Sequence, residues 1–128
     1  MSAENVKLAR RGYEAMLHND LDTIAELLAP EVKWHGGDPD AQGACRNRGE
    51  AVAFMRQAAA RRRLGELVDV VDAGERVVVI LRRGAEAGEP GELVANLTTI
   101  RDGKVVEMVH YPDPAVALSA AGVAPRAG

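Results

Sequence analysis

The sequence predicts an α+β fold, with helices gathered early in the chain and a mostly antiparallel sheet after them. Three observations carry this reading. Apolar residues recur at helical spacing through residues 4–28 and again from Gly49 onward. Four apolar runs with strand character follow, joined by short turns. The last two, Leu93–Ile100 and Val105–Tyr111, flank Asp102-Gly103, a strong signal for a tight hairpin.

The first helix spans residues 4–18, with Val6, Ala9, Tyr13, Met16 and Leu17 on its apolar face. Asn19-Asp20 interrupts it, and Asp20 is placed to cap a second helix that buries Leu21, Ile24, Leu27 and Leu28. Pro30 is expected to end that helix, with a short strand from Glu31 to His35 carrying Val32 and Trp34 on one face. Residues 36–48 are polar and rich in Gly and Asp, and read as a loop. A third helix starts at Gly49-Glu50 and places Ala51, Phe54, Met55 and Ala58 together. The strands run from Leu67 to Val71, from Val77 to Leu81, from Leu93 after a Gly88-Glu-Pro-Gly91 loop, and from Val105. Pro112 stops the last one, and a short helix capped by Asp113 reaches Ala121. Val77–Leu81 has no polar alternation, so both of its faces should be buried. Three helices cover one face of a sheet. A second copy of the chain is expected on the other, making a homodimer.

Composition narrows the function classes. The chain has 128 residues and reads as a single domain, residues 1–128, with its core at about 4–122. A net charge of -3 gives no electrostatic case for nucleic acid. The Arg61-Arg62-Arg63 run reads as a solvated helix end. No apolar stretch approaches the roughly 20 residues of a membrane span, and no secretory signal opens the chain, so a cytoplasmic setting is expected. The one cysteine, Cys45, excludes an internal disulfide. His18, His35 and His110 come from well-separated elements without ligand spacing, so no metal is expected.

Several segments resemble the nuclear-transport-factor-2-like (NTF2-like) superfamily, and within it the SnoaL-like group. They are Asp20-Leu-Asp-x-Ile-x-x-Leu-Leu-Ala29, Val32-x-Trp34, Arg48-Gly-Glu-Ala-Val-x-Phe54 and Asp102-Gly-Lys-Val-Val-Glu-Met-x-x-Tyr111. The resemblance implies a cone: a curved, mostly antiparallel sheet wrapped around a pocket and covered by the N-terminal helices. Relatives in that superfamily include polyketide cyclases, ketosteroid isomerases and limonene epoxide hydrolases. Fold alone does not choose among them, because enzymes, ligand-binding modules and assembly domains share it.

Four residues are candidates for chemistry. His110 is expected to share a strand face with Val106 and Met108. It stands where the epoxide hydrolases carry an acidic residue, and a neutral imidazole accepts a proton near pH 7. Its alternative is a pocket wall without chemistry. Asn96 shares a strand face with Val94 and Thr98 and resembles the isomerase position that donates to an enolate oxygen. Its alternative is a structural amide bonded to a neighbour. Tyr13 matches the isomerase oxyanion-hole tyrosine if one residue is missing before Asp20, and is otherwise core packing. His35 lies one residue before the place of the isomerase base, which is Gly36 here, so steroid isomerisation is not supported. Trp34, Met108, Phe54 and Arg82 are candidate substrate contacts, with solvent the competing place for Arg82. The leading function is a cofactor-independent isomerase or cyclase that moves a proton on a small hydrophobic carbonyl or polyketide-like molecule. On this reading the pocket should stabilise the ionised form of a flat phenol. The competing functions are a non-catalytic module for a small apolar ligand and an assembly domain. An open pocket favours a ligand, and a pocket filled by its own side chains favours assembly.

Overall fold

A computed structural model describes residues 2–60, 66–83 and 91–123. The Arg61–Arg63 run and the loop residues Gly88–Pro90 lie outside the described residues.

The first helix, α1 (Ser2–Leu17), turns Ala15 into the core, with Leu8, Ala9 and Met16 packed beside it. Asn19 then takes a left-handed conformation, φ 54°, which its short polar side chain tolerates. Asp20 caps α2 (Leu21–Leu27) by accepting hydrogen bonds from the Thr23 hydroxyl, at 2.6 Å, and the Thr23 backbone N–H, at 3.2 Å. Those bonds hold the Asp20 carboxyl below its ordinary range.

The strand β1 (Leu28–His35) follows without a linker, so Pro30 lies inside a strand rather than between helix and strand. Its position explains why this is tolerated. β1 is an edge strand, and its ladder with β5 is irregular between Leu28 and Lys33. A missing N–H there costs the sheet nothing. The outer side of β1 is covered by the loop. The Trp34 N–H donates to the Cys45 carbonyl, at 2.9 Å, and the Cys45 N–H donates to the Trp34 carbonyl, at 2.8 Å. Cys45 is thereby buried, and burial, with the Glu50 charge second, pushes its thiol up. It is an ordinary core thiol.

Asn47 starts α3 (Arg48–Ala60) by accepting the Glu50 N–H, while the Glu50 carboxylate accepts the Arg46 N–H. Then come β2 (Glu66–Ala73), β3 (Arg76–Arg83), β4 (Glu92–Arg101), β5 (Lys104–Tyr111) and α4 (Pro114–Ala120), the last capped by Asp113 as expected. The sheet order is β1-β5-β4-β3-β2, antiparallel except where β1 runs parallel to β5. Arg101 pairs with Lys104, so Asp102-Gly103 is a two-residue turn, and both residues have positive φ (52° and 74°). That is the mirror-image turn whose twist suits a hairpin, and glycine meets its second requirement without strain.

The sheet has a core on each face. On the concave side Val77, Ile100, Val105 and Met108 pack with Ile24, Leu28, Val32, Ala51 and Met55. On the other side Val71, Val78, Ala95 and Leu97 pack with Ala117 and Ala121 of the α4 region. Two expectations change here. The ladder between β4 and β5 shifts after Thr99, so Val105, rather than Val106, joins Met108 in the concave core. Val78 is fully buried by α4 within the chain, so its burial needs no second copy.

Candidate functional site

A cavity of about 110 Å³ opens between the helices and the concave face. α1 supplies Leu8, Ala9, Gly12, Tyr13 and Met16, and α2 supplies Ile24 and Leu27. Met55 comes from α3 and Trp34 from β1. Val79 and Leu81 come from β3, Asn96 and Thr98 from β4, and Val105 and Met108 from β5. Among the described residues no Asp, Glu, Lys, Arg or His lines it. Its polar atoms belong to Tyr13, Trp34, Asn96 and Thr98.

The sheet register explains which side chains meet. Asn96 is flanked by Val79 on β3 and His110 on β5, and Thr98 by Val77 and Met108. Residues opposite one another in a ladder share a face, so Asn96, Thr98, Met108 and His110 all belong to the concave side. Asn96 is the unusual member. Its Oδ1 is buried and has no hydrogen-bond partner. A buried acceptor in that state costs about 1–3 kcal/mol, so an arriving donor would be rewarded. Tyr13 sits across the cavity on α1, with its Oη accepting the Leu67 N–H at 2.9 Å. That bond ties α1 to the start of β2 and fixes the ring.

Tyr13, Trp34, Asn96 and Met108 are therefore brought together in the cavity wall. His110 is half-buried on the same face beside Asn96, at the side of the cavity rather than in its wall. The other three candidates are placed elsewhere. His35 follows Trp34, so strand alternation turns it to the opposite face. There its Nε2 lies 3.0 Å from the Glu107 carboxylate, and its Nδ1 accepts the Gly37 N–H at 3.0 Å. This fixes the tautomer with the proton on Nε2 and makes His35 a clasp between β1, β5 and the loop, not a pocket base. Phe54 is about half exposed and meets Trp34 edge to face, with ring centroids 4.8 Å apart, outside the cavity wall. It supports Trp34 from behind. Arg82 is exposed and points away from the cavity, because Leu81 before it takes the inward place.

Sequence reading missed Gly12 and Thr98 as site residues. Thr98 was findable, since it stands two residues from Asn96 on the same strand face. Gly12 gave no signal of its own, because a glycine adds nothing to an apolar stripe.

An α+β cone with an apolar cavity between its first helices and a curved sheet defines a class of small pocket proteins. The chain belongs to the SnoaL-like domain family, whose model matches residues 9–108. Its fold is that of the NTF2-like proteins. An NTF2-like protein of unknown function from Burkholderia pseudomallei is 25% identical, with 93% of this chain and 97% of that one covered and a TM-score of 0.67. Bal32a, from a soil-derived mobile gene cassette, is 23% identical, covering 86% and 89% of the two chains with a TM-score of 0.72. TerC, co-crystallised with polyporic acid, is 18% identical, covering 93% and 98% with a TM-score of 0.67. No curated protein matches the chain by sequence.

Proposed function

We propose that this protein binds a small, largely apolar molecule in the cavity between α1 and the sheet. The observation that carries the proposal is the cavity itself: an apolar, partly open space of about 110 Å³ whose wall, among the described residues, holds one buried amide oxygen without a partner. An assembly domain has no use for such a space, and apolar cavities accept apolar guests readily. The volume suits a molecule of about one six-membered ring, since a cavity of roughly 150 Å³ holds benzene. Within the fold, TerC crystallised with an organic ligand.

A second reading adds chemistry, and the register of His110 favours it. An imidazole beside Asn96 on the concave face, at the side of the cavity, supports the reading of a base that moves a proton on a bound carbonyl or polyketide-like molecule. His110 would be the base, with Asn96 and Tyr13 orienting the oxygen. No step of that kind requires a cofactor.

Trp34 is the only tryptophan of the chain and stands in the cavity wall, so it reports occupancy. Titration with single-ring compounds should give a saturable change in its fluorescence. A response that stays linear, as collisional quenching does, would defeat the binding proposal. His110→Ala should keep that saturable response. If His110 is the base, the same variant should lose a factor on the order of 100 in turnover of any identified substrate. Unchanged turnover would leave binding alone.

We also propose that the chain is a homodimer through the sheet face that α4 only partly covers, where Ile80, Val109 and Tyr111 remain partly exposed. Sedimentation at micromolar concentration should show twice the 13.6 kDa chain mass. A single species at the chain mass would refute it.

A further inference from the structure

We infer that the cavity selects a neutral ligand presenting a hydroxyl or N–H donor to Asn96; this rests on the binding reading above. Two independent observations support it. First, the buried polar atom left without a partner is an acceptor, Asn96 Oδ1. A carbonyl or an ionised oxygen on the ligand cannot satisfy an acceptor, whereas a phenol, an enol or an amide N–H can. Asn96 is a wall residue, so a small turn of its carboxamide brings that oxygen to a donor on the bound molecule. Second, no Asp, Glu, Lys, Arg or His lines the cavity among the described residues. An ionised ligand would lose its hydration there and gain no opposite charge in return.

These observations reverse the expectation that the site stabilises a phenolate. An oxyanion hole needs its donors aimed at the oxygen. Here the buried end of Asn96 left without a partner is its oxygen, an acceptor that cannot stabilise an oxyanion. A ligand with a hydroxyl within reach of the strand suits Asn96 best. Its hydroxyl donates to Oδ1.

The test uses the unaltered chain and three single-ring compounds: toluene, p-cresol, and 4-methylanisole, which caps the cresol oxygen with a methyl. Trp34 fluorescence reads their binding. p-Cresol, which has a donor, should bind more tightly than 4-methylanisole, which has only an acceptor, by about tenfold. In Asn96→Leu that preference should vanish while toluene binds at least as well. The three-compound series on the unaltered chain decides the matter even if the variant does not fold. Absorbance of 4-nitrophenol gives an independent reading. Bound 4-nitrophenol should be neutral, and its ionisation should move to higher pH, because a site that prefers the neutral form holds the proton on. Equal binding of all three compounds would overturn the inference and leave the binding proposal standing. A bound 4-nitrophenolate would overturn it in favour of an oxyanion hole. Failure of every compound to bind would overturn both.

Discussion

Gly12→Leu is expected to abolish ligand binding while leaving the fold intact or firmer. Gly12 lies in α1 and forms part of the cavity wall. A Cβ built there meets Leu27 Cδ1 at 3.7 Å, an ordinary contact, so the first added carbon is accommodated. The remaining carbons have only the cavity to enter, and a space of about 110 Å³ cannot hold both them and a ring. Affinity for any bound ring should fall by a factor on the order of 100, equivalent to roughly 3 kcal/mol. Folding gains instead, because glycine inside a helix costs about 1 kcal/mol relative to good helix formers. Filling an apolar void adds packing contacts as well. Thermal unfolding and Trp34 fluorescence on the same variant check both halves. A folded Gly12→Leu chain that binds as before would place the ligand outside this cavity.

His35→Ala should do the reverse, costing stability and sparing the ligand. The imidazole is buried and joins three parts of the structure through Glu107 on β5 and the Gly37 N–H of the loop. Truncation leaves a void and takes away the partner of the Gly37 N–H, which in an exposed residue can turn to water. The Glu107 side chain is 43% exposed, so water can replace its lost bond. A loss of roughly 2 kcal/mol follows from the void and the lost hydrogen bonds. Urea unfolding measures it, and the response of Trp34 to ligand should be unaltered in the folded variant. Unchanged stability with impaired binding would return His35 to the pocket.

The contrast between His35 and Asn96 shows where the sequence was legible. Element order, caps at Asp20 and Asp113, and the Asp102-Gly103 turn follow from local chemistry, and local chemistry is written in adjacent residues. Asn96 was readable because a polar residue in an apolar strand must be accounted for. His35 was misplaced by a family register one residue away from Gly36. A one-residue change in a strand exchanges its two faces, and Trp34 holds the inward place that His35 was given. Val106 failed for the same reason, since the irregularity in the β4–β5 ladder left no mark in the letters. Phe54 and Arg82 depended on how far a helix rotates and a sheet curls, which only packing between distant segments decides. Burial of Val78 was expected, but α4 achieves it, because a seven-residue helix after Pro112 can fold back onto the sheet.

The central claim, that this cavity is a ligand site with Asn96 as its polar anchor, is tested most directly by a crystal structure of the chain soaked in p-cresol. Electron density for one ring between Trp34, Met108 and Asn96, with the hydroxyl within hydrogen-bond distance of the Asn96 carboxamide oxygen, is the predicted result. A cavity closed by its own side chains, or p-cresol bound only elsewhere on the protein, would contradict it.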